Sequence, residues 1–197
     1  MLIIYFTSDL HLGHKNIIKL CHRPFASLEE MDETLVSNWN QVVTNGDTVY
    51  IIGDLMFRTQ NHPLDVLKRL RGKKNLILGN HDRGWLNKIE AADFFKSVES
   101  YSEISDGKRK LALCHYPMMS WGGTGKGSYL IHGHIHNNRD AAYWPLLASM
   151  DHALNASVEI NSYKPVTFDQ LVENNDIFKQ LVVKDSLITA AGEEHIT

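Results

Sequence analysis

The side chains able to do chemistry in this 197-residue chain fall into five groups. They are Asp9 with His11, Asp54, Asn80 with His81 and Asp82, His115, and His134 with His136. Each group follows directly on a run of apolar residues. Such runs read as buried strands, and in open α/β sheets ligands gather beyond the carboxyl ends of strands. One histidine after a strand reads as a satisfied structural residue, and one Gly-Asp pair reads as a turn. Five such cases in one chain point to a shared cleft holding carboxylates, an amide and several imidazoles. Imidazole with carboxylate and no thiolate suits two divalent transition metals (Mn, Fe, Co or Zn) better than Mg or Ca, which take oxygen shells. Two such ions ~4 Å apart repel by about 17 kcal/mol at an effective dielectric of roughly 20, so an anion must lie between them. One carboxylate can serve, and so can hydroxide. Neutral Asn80 leaves the positive surplus in place, which favours an anionic phosphate ester over a peptide as substrate.

The elements that must position these groups are legible in outline. Leu2 to Ser8, Asp47 to Ile52 and Asn75 to Leu78 read as strands. Lys15 to Cys21 and Leu64 to Leu70 read as short helices between them. Ser27 with Glu30 forms a capping box, and Leu28, Met31, Leu35, Trp39 and Val42 recur at helical spacing behind it. In the second half, Ser97 to Ile104 and Lys108 to Cys114 read as a hairpin around Asp106-Gly107. Tyr129 to Ile131 and Ala156 to Ile160 read as further strands. A final helix opens at Thr167 and runs to about Leu181, with a loose tail from about Ser186. No repeat or linker divides the chain, so residues 1–197 are expected to form one α/β domain with mixed sheets.

Composition sets outer limits. Hydrophobic residues at 43% and charged residues at 22% are ordinary for a globular protein. A formal charge of −3 argues against a long nucleic acid as partner. Histidine is the outlier, with 11 residues. Cys21 and Cys114 are too few for a disulfide scaffold, and they read as small buried residues in a reducing compartment. No apolar run approaches the ~18 residues of a membrane span, and the first residues lack the basic region of a signal peptide. A cytoplasmic location is expected.

Asp9-Leu10-His11, Gly53-Asp54, Gly79-Asn80-His81-Asp82, His115 and Gly133-His134-Ile135-His136, in that order, resemble the motifs of the calcineurin-like metallophosphoesterases. The run Asp9 to Asn16, His115-Tyr116-Pro117 followed by Trp121, and Asn161 to Pro165 resemble a small bacterial and phage branch of that family. The resemblance implies two mixed β-sheets packed face to face with helices outside. It implies that Asp9, His11 and His136 hold one metal, that Asn80, His115 and His134 hold the other, and that Asp54 bridges. It implies that His81 stands over the phosphate, while Asp82 orients His81 or closes its loop. Hydroxide formed between the metals would attack phosphorus in line, with His81 stabilising the charge and protonating the leaving group. Mn is the metal to add in vitro.

The expected enzyme is therefore a phosphoric ester hydrolase acting on a small phosphomonoester or phosphodiester, including a nucleotide or cyclic nucleotide. A nuclease or RNA-processing phosphatase, and an inactive metal-binding scaffold, are the alternatives. Substrate contacts are assigned to His14, Asn16, Arg58 and Trp121, each next to a motif or in a loop near one. For Trp121 plain packing is an equal reading, and His132 reads as a supporting residue. Gly122 to Ser128 fails the phosphate-loop pattern, because Ser120 stands where its first glycine should be and Gly127 follows Lys126. It reads as a flap beside the metals. The cations between Lys68 and Lys74 read as solvated.

Overall fold

Apolar β-forming runs in the first half of the chain pair side by side. In a computed structural model, which describes residues 2–57 and 63–192, β1 (Ile4–Thr7), β2 (Thr48–Ile52), β3 (Lys73–Ile77) and β4 (Phe95–Glu99) form one sheet in that order. Every pairing in it is parallel. Parallel neighbours need crossover connections. Helices α1 (Ile17–Leu20) and α2 (Leu28–Val42) lie in the first, α3 (Pro63–Leu67) in the second and α4 (Arg83–Leu86) in the third.

The second sheet contains β5 (Tyr101–Ser105), β6 (Lys110–Cys114), β7 (Tyr129–His132) and β8 (Ala153–Asn155), again in chain order. Here β5 runs antiparallel to β6, and the remaining pairs are parallel. Helix α5 (Trp144–Ala148) precedes β8, and α6 (Phe168–Gly192) closes the described chain.

Alternation along the strands decides the layers. Phe6, Ile52 and Ile77 face Leu111, Leu113, Ile131 and Leu154 between the two sheets. The other face of the first sheet is covered by Met31, Leu35 and Trp39 of α2. Trp144, Leu147 and Phe178 cover the other face of the second. The result is the expected four-layer α/β sandwich, with one correction: only the second sheet is mixed. Ser27 caps α2 by accepting from the Glu30 amide at 3.1 Å, and the Glu30 carboxylate reaches back to the Ala26 amide at 2.7 Å.

Three stretches are organised differently from the sequence reading. The stretch Ser97 to Ile104 is not one hairpin arm, because it divides between β4 and β5. Its apolar residues belong to different layers: Val98 packs under the first sheet and Ile104 packs between the sheets. The last strand is β8, and Val158–Ile160 forms a 3-10 turn instead. After Ala156 donates to the His132 carbonyl at 2.7 Å, the chain leaves the sheet and Val158 donates to the Ser8 carbonyl at 3.2 Å. The final helix continues past Leu181 and is helical to Gly192, and the last residues of the expected loose tail lie outside the described residues.

Among the described residues, no helix is long and apolar enough to cross a membrane. Trp39 is fully buried and its indole donates to the Arg71 carbonyl at 2.9 Å. Trp39→Ala is expected to cost about 3–5 kcal/mol in urea unfolding, and a loss below about 1 kcal/mol would contradict this packing.

Candidate metal centre

The polar groups stand where the strands stop. Asp9 and His11 follow β1, Asp54 follows β2, Asn80 to Asp82 follow β3, His115 follows β6, and His134 with His136 follow β7. Asp9 donates its amide to the Gly53 carbonyl at 3.0 Å, and Ser8 donates its amide to Ala156 at 2.9 Å. The end of β1 is thereby tied to both sheets, which brings the two sets of loops together.

The side chains converge on Asp54, which is 2% exposed. Its Oδ2 lies 3.5 Å from His11 Nε2 and 3.5 Å from His115 Nε2. The His81 amide donates to its Oδ1 at 2.9 Å. On one side, Asp9, His11 and His136 present ligand atoms all within 4.8 Å of one another, and Asp9, Asp54 and His115 do the same. On the other side, Asn80 Oδ1 lies 3.1 Å from His115 Nε2 and 3.1 Å from His134 Nδ1. His11 Nε2 is buried and, among the described residues, has no hydrogen-bond partner. Its other ring nitrogen is 3.2 Å from His14 Nδ1. A cation satisfies an imidazole lone pair of this kind, so the donor set fits metals.

The backbone bears the cost of this convergence. Asp9, His11, Asp54, His134 and His136 all have left-handed φ, between 50° and 72°. A residue with a Cβ gains nothing locally from that conformation, which costs on the order of 1–2 kcal/mol each. The motif glycines answer a steric demand. A Cβ at Gly79 would run into the Asp54 carboxylate, and one at Gly53, itself at φ +85°, would lie against the His115 ring.

Electrostatics separate the imidazoles. Burial, with His136 adding, pushes His11 down to about 2. Burial, with His81 adding, pushes His14 down to about 4. For His115 burial acts downward, but the Asp54 hydrogen bond and the Asp9 charge raise it to about 9. Burial likewise acts upward on Asp54, yet His115 and the His81 amide hold it down at about 2. A carboxylate kept ionised is what a metal site needs, and a cation binding there would displace the proton that His115 carries beside it.

Several supporting residues belong to none of the sequence motifs. Arg23 and Glu159 form a buried ion pair at 2.7 Å. Arg23 donates to the Asp9 carbonyl at 2.6 Å and the Leu10 carbonyl at 2.8 Å, so it clamps the strained loop after β1. Glu159 Oε1 lies 2.9 Å from His136 Nδ1, which turns Nε2 toward Asp9. A glutamate inside the apolar run Ala156 to Ile160 was the available clue. Asp9 Oδ2 also accepts from Ser8 Oγ at 2.6 Å and Ser157 Oγ at 2.8 Å.

The other candidates are placed as follows. Fully buried Asp82 accepts from the amides of Asp54, Leu55 and Gly79 and from the Trp85 indole. It closes the loop between two strand ends, and its contacts are with backbone and Trp85. His81 stands at the mouth, its side chain 36% exposed and its Nε2 3.9 Å from Asp54. His14 stacks on Phe57 with centroids 3.9 Å apart and lines the cleft. Asn16 is exposed at the start of α1 and makes no side-chain cap bond. Trp121 is buried under the second sheet, where its indole donates to the Ser128 carbonyl at 3.3 Å, and packing accounts for it. Arg58 lies outside the described residues. His132 is buried against the Gly133 carbonyl at 3.0 Å. The stretch Gly122 to Ser128 borders a separate hollow beside Glu103 and not the cleft over these ligands.

A two-sheet α/β sandwich with carboxylate, imidazole and amide ligands at its strand ends defines a class of metal-binding folds. The chain belongs to the calcineurin-like phosphoesterase family, whose sequence profile matches residues 2–192. An uncharacterised protein of Methanocaldococcus jannaschii is 38% identical over 172 residues, which is 86% of this chain and 89% of that one. The Gene 66 protein of Mycobacterium phage L5 is 34% identical over 161 residues, covering 68% of this chain and 77% of that one. A solved structure, a protein of unknown function from Aquifex aeolicus, aligns with a TM-score of 0.67 at 28% identity, covering 88% of this chain and 99% of that one.

Partners that orient a metal-bound histidine are typically worth 10–100-fold in metal affinity. Glu159→Gln is therefore expected to weaken Mn binding at least about tenfold in equilibrium dialysis, with the far-ultraviolet circular dichroism retained. Unchanged affinity would contradict the role of Glu159 behind His136.

Proposed function

We propose that the protein is a hydrolase of small phosphate esters that works with two divalent transition metals, Mn being the first to test. The observation that carries this reading is the position of Asp54 between two ligand sets. Asp9, His11 and His136 with Asp54 would hold one cation. Asn80, His115 and His134 with Asp54 would hold the other. Bound there, the pair supplies Lewis acidity that polarises a phosphate and makes an adjacent water acidic.

The chain's own residues do the rest. Asp54 keeps its charge because His115 and the His81 amide hold its pKa low, so it stays an anion between the two sets. His14 and Phe57 wall the cleft beside His11 and His81. The Phe57 ring meets His81 edge-on with centroids 4.9 Å apart, which limits where that imidazole can swing. His81 donates a hydrogen bond to a phosphate oxygen held over Asp54 and passes a proton from its ring to the departing alkoxide. Asp82 sets the path of the loop that carries it.

The test uses chelator-stripped protein reloaded with Mn, Co, Fe or Zn and assayed on p-nitrophenyl phosphate and bis-p-nitrophenyl phosphate. Turnover restored by metal is expected on at least one ester. Positioned general acids contribute about 100-fold or more, so His81→Ala is expected to lower kcat by at least that factor while metal content holds. No turnover with any metal, or His81→Ala losing its metal along with its activity, would contradict the reading.

A further inference from the structure

The cleft over the metal centre does not end at the ligands. A space of about 660 Å³ covers His11, Asp54, Asn80 and His136 and continues to Asn138, Arg139 and Tyr143. This arm is polar. Arg139 Nη1 is shielded from solvent and, among the described residues, makes no hydrogen bond. Arg139 lines the space, and its guanidinium lies over the Phe178 ring, 5.7 Å from the centroid, which fixes the cation at the end of the arm.

A second depression, of about 330 Å³, opens on the far side of His134 and is lined by Tyr116, Pro117, Met118, Met119 and Leu147. His134 and Tyr143 border both spaces. This one is apolar, and its surface is costly to leave in water: Tyr116 is 46% exposed and Met119 is 64% exposed. The Tyr116 ring is held edge-on to His134, with centroids 4.6 Å apart, so the shelf has a fixed aromatic wall. Tyrosine edges and methionine sulfur both favour flat aromatic groups. The volume is enough for one ring system with its substituents.

A phosphate on the centre lies beside His134, at the junction of the two spaces. A monoester carries one substituent and fills one of them. A diester carries two and fills both. We propose that the substrate is a phosphodiester with unlike arms: a flat apolar group on the Tyr116–Met119 shelf and a polar, hydrogen-bonding group beside Asn138 and Arg139. This rests on the phosphoesterase reading and adds the substrate class. In the reaction one water is consumed. Its oxygen joins phosphorus, one P–O ester bond breaks, and the departing alkoxide takes a proton, giving a monoester and an alcohol.

The test is steady-state kinetics of the Mn-loaded full chain on p-nitrophenyl phosphate, methyl p-nitrophenyl phosphate and thymidine 5′-(p-nitrophenyl phosphate). The diester with unlike arms is expected to exceed the monoester at least tenfold in kcat/KM. The double substitution Tyr116→Ala with Met119→Ala touches exposed side chains and spares the core. It is expected to raise KM for the thymidine diester at least fivefold. Arg139→Ala is expected to raise the same KM separately, and the two effects should multiply because the arms do not share these residues. A preference for the monoester, or a KM unmoved by either change, would overturn the proposal while leaving the phosphoesterase reading intact. Absence of metal-dependent turnover on every ester would overturn both.

Discussion

Asp54 is a carboxylate 2% exposed, with two imidazole nitrogens 3.5 Å from one of its oxygens. A buried anion left alone would cost several kcal/mol, and a neutral acid there would give nothing to a cation. The surrounding structure keeps it charged and aimed. His115 supplies a hydrogen bond and charge from the second sheet, and the His81 amide supplies another from the loop after β3. Since these groups come from β2, β3 and β6, the two sheets must end at the same edge of the sandwich. The tie from Ser8 to Ala156 and the bridge from Val158 back to Ser8 hold that edge together.

Convergence of this kind is not free. Five of the residues assigned as ligands adopt left-handed φ, a conformation that no local interaction rewards. The cost is met by packing elsewhere, in the apolar layer of Phe6, Ile52, Ile77, Leu113 and Ile131 beneath the site. It is met also by polar fastenings behind each ligand. Arg23 grips the carbonyls of Asp9 and Leu10, and Glu159 sits behind His136. Asp82 gathers the amides of Asp54, Leu55 and Gly79. These groups touch no substrate, yet they decide whether the donor atoms meet.

Much of this is legible in the amino-acid sequence. Apolar runs ending in Asp, Asn or His mark the strand ends, and the helical spacing of Met31, Leu35 and Trp39 marks α2 with its cap. Patterns of that sort are local, and local physics writes them plainly. Where the sequence misleads, a distant contact decides. Nothing within Ser97 to Ile104 says that Val98 and Ile104 serve different layers. Nothing near Ala156 says that the next residues will turn toward Ser8. For Trp121, beside a glycine-rich loop, the sequence leaves stacking and packing as equal readings, and a distant layer supplies its place: its indole donates to the Ser128 carbonyl under the second sheet. Arg23 carries no sequence signal because its partner lies 136 residues away.

The most direct measurement of the central claim is electron paramagnetic resonance of the chelator-stripped chain titrated with Mn(II). Two cations held on either side of Asp54 would be close enough to couple their spins. The spectrum should change from isolated-ion to exchange-coupled lines as the second equivalent binds, and Asp54→Asn should abolish the coupled lines. Saturation at a single ion, or two ions whose signals stay independent, would contradict the account.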